Sequence, residues 1–168
     1  MADYHVFPDA PEGTPKANFV HLHVHSDYSL LDSCATLDKL VAKAKALNMP
    51  ALALTDHGNM FGIKEFADCA ASANAKVKGK IKDYEAVLAK DDASDEEKLS
   101  AQNAIDKLKG EYFKPIFGTE ADCAPEKIEK KDGRADRGWH LILLAKNKTG
   151  YKNLCKLASI AYTDGFYY

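Results

Sequence analysis

Val20, Leu22 and Val24 alternate with His21, His23 and His25, and a period of two predicts a strand. From Thr36 to Leu47 the spacing changes to that of a helix. Leu37, Leu40, Val41, Ala44 and Leu47 share one face, Thr36 is the N-cap, and Asn48-Met49-Pro50 ends the run. Ala51–Thr55 is a short apolar strand that leaves through the turn Asp56-His57-Gly58, and Phe61–Ala71 predicts a second helix. Strand, helix, strand, helix is the opening of a parallel sheet covered by helices, an α/β fold. Ahead of it, residues 1–17 contain Pro8, Pro11, Gly13 and Pro15 and predict an extended lead-in with His5 in solvent.

Residues 73–112 interrupt this alternation with a stretch rich in Lys, Asp, Glu and Ala. Ile81, Tyr84, Val87 and Leu88 form one helical stripe, and Leu99, Ile105, Leu108 and Tyr112 another, with Asp91–Asp95 as the turn. That pattern predicts a helical-hairpin insertion whose charges form a solvated face. The sheet pattern resumes at Lys114–Glu120. Residues 125–138 read as a polar loop and His140–Ala145 as a strand, either parallel or returning antiparallel to 116–123. Thr149–Ala161 predicts a last helix, with Leu154, Leu157, Ala158 and Ala161 on one side.

The 168 residues, 46% hydrophobic and 29% charged, suit one globular domain, residues 18–168, with its own core. A net charge of −2 excludes a basic footprint over the whole surface and leaves room only for a local basic groove. Cys34, Cys69, Cys123 and Cys155 form no C-x-x-C pair, so no zinc knuckle or redox motif is present. Such spacing predicts reduced, buried thiols in a cytoplasmic protein. No secretory signal opens the chain, and no apolar run approaches the roughly 20 residues of a membrane span.

Candidate chemistry gathers at strand ends. On a strand, His21, His23 and His25 share a face at levels about 6.8 Å apart. Neighbours in that series can lean onto one metal, but His21 and His25, roughly 13 Å apart, cannot. The pair is therefore 21/23 or 23/25. Sites of parallel α/β folds lie at the C-terminal ends of strands, which favours His23 and His25 and leaves His21 deeper in the sheet, supporting rather than ligating. Asp56 and His57 follow an apolar strand to the same rim, where Gly58 permits a sharp turn and Asp56 is a second supporting residue. Glu120 also ends a strand, after Gly118, and can supply a carboxylate bridging two metals. Asp32, one short loop beyond His25, can complete the shell. His140 opens its strand and reaches the rim only if that strand is antiparallel. Mixed nitrogen and oxygen donors suit Zn²⁺ or Mn²⁺ better than Ca²⁺, and several such ions would bind a phosphoester. A serine nucleophile at Ser26 or Ser29 lacks an identifiable base.

The runs Phe19-Val-His-Leu-His-Val-His-Ser-Asp-Tyr-Ser-Leu-Leu-Asp32, Met49-Pro-Ala-Leu-Ala-Leu-Thr-Asp-His-Gly-Asn-Met-Phe-Gly62, Lys114-Pro-Ile-Phe-Gly-Thr-Glu120, His140-Leu-Ile-Leu-Leu-Ala-Lys-Asn147, Gly150-Tyr-Lys-Asn-Leu154 and Ala161–Tyr168 together resemble the polymerase-and-histidinol-phosphatase (PHP) family. The H-x-H and T-D-H-G motifs mark the wider family. Leu-Leu-Asp and Gly-Phe-Tyr-Tyr point to its branch at the start of bacterial replicative DNA polymerases. The resemblance implies the N-terminal part of a distorted (β/α)7 barrel with up to three divalent ions (Zn, Mn or Mg) at one rim. It implies His23, His25, Asp32, His57, Glu120 and His140 as ligands. The implied activity is metal-dependent phosphoesterase chemistry, 3′–5′ exonuclease proofreading, within a DNA-directed DNA polymerase. DNA and the other polymerase subunits are the implied partners, with no membrane. A non-catalytic docking module and a free-standing small-molecule phosphatase are the other readings. Two features depart from the family: the 73–112 insertion, and an end at residue 168 that leaves the family's last Asp and His ligands outside the chain. The expectation is an N-terminal fragment with an incomplete site, no polymerase residues, and exposed sheet edges that favour self-association.

Overall fold

A computed structural model describes residues 11, 14–124 and 138–165. His5, most of the lead-in, nearly all of the polar stretch 125–138 and the final Phe166-Tyr167-Tyr168 lie outside the described residues.

The first helix, α1, runs Leu37–Ala46, with Asp38 in its first turn and Lys43 and Lys45 in its last, charges that complement the helix dipole. Leu37, Val41 and Ala44 are buried along the predicted stripe. Leu47 falls just outside it and is half exposed, because Asn48 turns the chain at a positive φ of 52°. Strand β1, Ala51–Leu54, is buried at every position. Helix α2, Ile63–Ala73, begins two residues later than predicted and leaves Phe61 exposed. α1 and α2 pack on each other and close over β1, and the core they build contains Leu37, Val41, Leu54, Phe66 and Phe113.

Between residues 73 and 112 the chain forms the predicted helical hairpin: α3, Ala75–Leu88, against α4, Asp95–Lys109. Ser94 and Glu97 form a reciprocal capping box that starts α4. Ile81, Ile105 and Leu108 make a small core of its own, whereas Tyr84 and Leu99 of the predicted stripes are exposed. Buried Asn74 ties the hairpin's two ends together. Its side-chain amide donates to the Phe113 carbonyl at 2.8 Å and its carbonyl accepts from the Phe113 amide at 2.9 Å. The alanine variant leaves both backbone groups unpaired beside buried Phe113. Asn74→Ala is therefore expected to lower unfolding free energy by about 2–4 kcal/mol in a denaturant titration. A loss under about 0.5 kcal/mol would mean that the clamp is idle.

Strand β2, Lys114–Cys123, pairs parallel with β1 and antiparallel with β3, Trp139–Leu144, in the sheet order β1-β2-β3. Of the two readings left for the second half, the antiparallel return is the one formed. Gly118 is required there, since a Cβ would lie 2.5 Å from the Leu143 carbonyl oxygen. Helix α5, Lys148–Thr163, is capped by the Asn147 side chain, which accepts from the Gly150 amide at 2.9 Å. The described residues thus form a mixed α/β fold with one three-stranded sheet, and they do not themselves close a barrel.

Two expectations need correction. Residues 20–25 run beside β1 but form no regular strand. Ala53 donates to the His21 carbonyl and Thr55 to that of Val24, each at 2.9 Å, so three residues span what two span in β1. The chain bends at Leu22 to absorb the extra residue, and the Val24 amide is satisfied by the Thr55 hydroxyl instead of a backbone partner. The cysteines are free, as expected, but none is buried: Cys34 is exposed and the others are intermediate. Among the described residues no helix is long and apolar enough to cross a membrane.

Candidate metal centre

The bulge before His23 sets the geometry of the centre. It separates His21 from the pair that follows. His21 is exposed rather than deep in the sheet, and its ring meets the edge of Phe19 at a centroid distance of 4.7 Å. Past the bulge, His23 and His25 converge, with their Nε2 atoms 2.9 Å apart. Both face Glu120 Oε2, at 3.2 Å from His23 and 2.8 Å from His25.

Glu120 is delivered by β2 and anchored on both sides of its peptide: its amide donates to the Asp56 carbonyl and its carbonyl accepts from Gly58. Gly58 makes that contact at a φ of 68°, the sharp turn expected after Asp56-His57. The other oxygen, Oε1, contacts His140 Nδ1. His140 arrives there because β3 returns antiparallel, pairing His140 with Asp122. His57, Asp122 and His140 form a second group. His57 Nε2 lies 3.2 Å from Asp122 Oδ2, and His140 Nε2 lies 3.3 Å from Asp122 Oδ1. Within each group, His23-His25-Glu120 and His57-Asp122-His140, one donor atom per residue lies within 4.8 Å of the others.

Asp32 belongs to neither triad of donors. Its Oδ2 lies 3.1 Å from His57 Nδ1, the ring nitrogen that does not face Asp122. Asp122 is the residue that sequence reasoning missed. The signal was present: Glu120 and Asp122 are two apart on a strand and share a face. Asp56 is buried and touches no ring of either group directly. It accepts from the Ser26 amide at 2.7 Å, from the Ser26 hydroxyl, and from the Ser29 hydroxyl at 2.7 Å. Both serine hydroxyls are fully buried and bonded to Asp56, so neither is presented to an incoming substrate as a nucleophile.

Electrostatics follow from these contacts. Burial disfavours the charged form of His57, but hydrogen bonds to Asp32 and Asp122 and the charges of Asp122 and Glu120 outweigh it and hold its pKa above the ordinary value. Burial pushes Glu120 upward. The hydrogen bond from His23 and the charges of His140, His23 and His25 prevail, so its acid is stronger than usual. Glu120 is thus an ionised carboxylate facing three imidazoles. Imidazole nitrogen mixed with carboxylate oxygen, and no thiolate, is a donor set that fits Zn²⁺ or Mn²⁺ and leaves Mg²⁺ open.

An α/β domain that gathers histidines and carboxylates at one sheet rim is the class to which this chain is assigned by comparison: it belongs to the PHP family, whose PHP domain model matches residues 21–168. More closely, it is a PHP domain matching the N-terminal region of DNA polymerase III alpha subunits. DNA polymerase III subunit alpha of Borreliella burgdorferi is 40% identical over 155 residues, 91% of this chain and 10% of that protein. The same subunit from Chlamydia trachomatis is 41% identical over 152 residues, 89% of this chain and 9% of that protein. That of Deinococcus radiodurans is 38% identical over 166 residues, 96% of this chain and 10% of that protein. The chain spans about a tenth of the length of these relatives.

Proposed function

We propose that this chain is the metal-dependent phosphoesterase module of a replicative DNA polymerase, a cytoplasmic DNA-directed DNA polymerase, and that it trims DNA 3′ ends as a proofreading exonuclease. The observation that carries the reading is Glu120, one buried carboxylate whose two oxygens face two separate groups of donors. His23, His25 and Glu120 would hold one ion, and His57, Asp122 and His140 a second, joined through Glu120. Asp32 would orient His57 through Nδ1, as a carboxylate commonly does behind a ligating histidine. Ions held there would polarise a phosphoryl oxygen and lower the pKa of a water. Within the distorted (β/α)7 barrel of the family, further ligands outside these residues would complete a site of up to three ions. DNA and the other polymerase III subunits are the proposed partners. The polymerase name shared by the relatives favours this branch over a free-standing small-molecule phosphatase.

The test belongs in the intact polymerase with a 3′-labelled primer–template. His23→Ala and His57→Ala are expected to lose bound metal and to slow 3′–5′ degradation by about 100-fold or more, the scale of losing a main electrostatic stabiliser, while polymerisation continues. Loss of metal with unchanged degradation would make the domain a structural or docking module instead.

A further inference from the structure

Large apolar side chains stand in water beside the metal centre. Leu30, Leu31 and Phe61 are exposed by 82%, 105% and 75%. Leu31 carries a second cost. The Asp32 amide donates to the Ser29 carbonyl at 3.0 Å, so Leu30 and Leu31 are the central pair of a tight turn. Leu31 has a φ of 74° at the turn position where such an angle favours Gly or Asn. Neither solvation nor backbone geometry favours a leucine there, and a contact made on binding would offset both.

The loops that carry these side chains are pinned to each other. The Asn59 side chain donates to the Tyr28 carbonyl at 3.1 Å and to the His57 carbonyl at 3.0 Å, and it accepts from the Phe61 amide at 3.1 Å. Ser29, at the start of the turn, accepts from the His57 amide at 3.0 Å. The apolar groups are thus held in place before anything binds, which lowers the ordering cost of binding. Leu30 and Phe61 line a cavity of about 380 Å³ together with Tyr28 and with Asp32 and His57 of the metal centre. Space near the small end of ligand sites takes a nucleoside but not the end of a duplex. Among the described residues no lysine or arginine lines it, whereas Asp27 and Asp32 do. Charge therefore suits it to an uncharged group and not to a second phosphate.

We propose that Leu30, Leu31 and Phe61 form a nucleobase subsite, with the Phe61 ring as its stacking face, that holds the 3′-terminal base of a DNA strand while the adjoining phosphodiester lies at the metal centre. The inference rests on the phosphoesterase reading. The cavity shares Asp32 and His57 with that centre, so its occupant is the part of the substrate next to the reacting phosphate. An aromatic face accepts any of the four bases. A paired base must leave its partner to enter, and a mismatched base does so at the least cost. Preference for a mispaired end then comes from this cavity and not from the metal.

The experiment compares, in the intact polymerase, 3′–5′ degradation of single strands that end in a normal or an abasic nucleotide. Phe61→Ala and Leu31→Gly are expected to lower kcat/KM on the normal end by about 5–100-fold, the range for one stacked base, and on the abasic end by less than about twofold. Glycine suits the φ of Leu31 and Phe61 is exposed, so both variants keep the fold, and metal content should not change. Leu99→Ala, which trims an exposed leucine of the helical hairpin, should change neither rate. The second readout needs no turnover. A strand ending in 5-iodouracil, with a phosphorothioate last linkage, is expected to crosslink under light to residues 28–32 or 59–61. Equal losses on both ends, no loss on either, or no crosslink within these two loops overturns the proposal. The last two results together would leave the apolar rim to a protein contact. A wild type that degrades neither strand removes the phosphoesterase reading instead. The crosslink then decides alone whether a base binds here.

Discussion

Glu120→Gln is expected to strip metal from both groups at once, whereas His23→Ala empties the first and His140→Ala the second. The asymmetry follows from geometry. Oε2 faces His23 and His25, while Oε1 faces His140, so one side chain serves two sets of donors. Glutamine keeps the shape but loses the charge. Whichever way its amide turns, an NH₂ points at one group and repels a cation there, while the remaining carbonyl is a poorer ligand for the other. The loss should exceed the roughly 10–100-fold that removing an outer-shell partner costs. Metal counting on protein loaded with Zn²⁺ or Mn²⁺ and then desalted would read it, with circular dichroism to confirm that the fold persists. A glutamine variant holding as many ions as the wild type would show that Glu120 is not the bridge.

The position of Glu120 beside the histidines was legible in the sequence because each element that delivers it carries a local signal. β1 is a run of buried apolar residues, Gly118 precedes Glu120, and Asp56-His57-Gly58 spells a turn. The helical hairpin was equally plain, since its two apolar stripes have the helical period. What the residues did not disclose depends on pairing between distant strands. His140 was undecided because a parallel and an antiparallel strand have the same local pattern, and only the register His140 to Asp122 chooses between them. Asp122 is different: its position two residues past Glu120 on the same strand face was a local signal that went unused. The alternation over 20–25 was read too regularly: a bulge is set by the neighbouring strand, here by the Thr55 hydroxyl taking the Val24 amide, and leaves no mark in hydrophobic spacing. The resemblance to the family implied His140 as a ligand where periodicity left it open, and the structure places it against Glu120 and Asp122.

The response of stability to metal should reverse its pH trend. In the protein without metal, His57 has a pKa above its ordinary value of 6.5, so its contribution is complete below that value and fades as pH rises through the raised one. Glu120 has a pKa below its ordinary 4.5, so its contribution is present above that value and fades as pH falls through the lowered one. The two contributions coexist between 4.5 and 6.5, and the metal-free protein loses the His57 part at higher pH. A cation reverses the upper limb. To bind, His57 must give up the proton it shares with Asp122, so affinity grows as pH rises and protons are released. With free metal at about a thousand times Kd, the folded state gains about 4 kcal/mol by mass action. The difference in Tm between Zn²⁺-loaded and chelator-treated protein should therefore be small near about pH 5 and largest near about pH 8. Scanning calorimetry at fixed ionic strength would measure it. A difference that stays level across that range would mean that the ion does not displace the protons of these histidines, and that the two groups of donors are not its site.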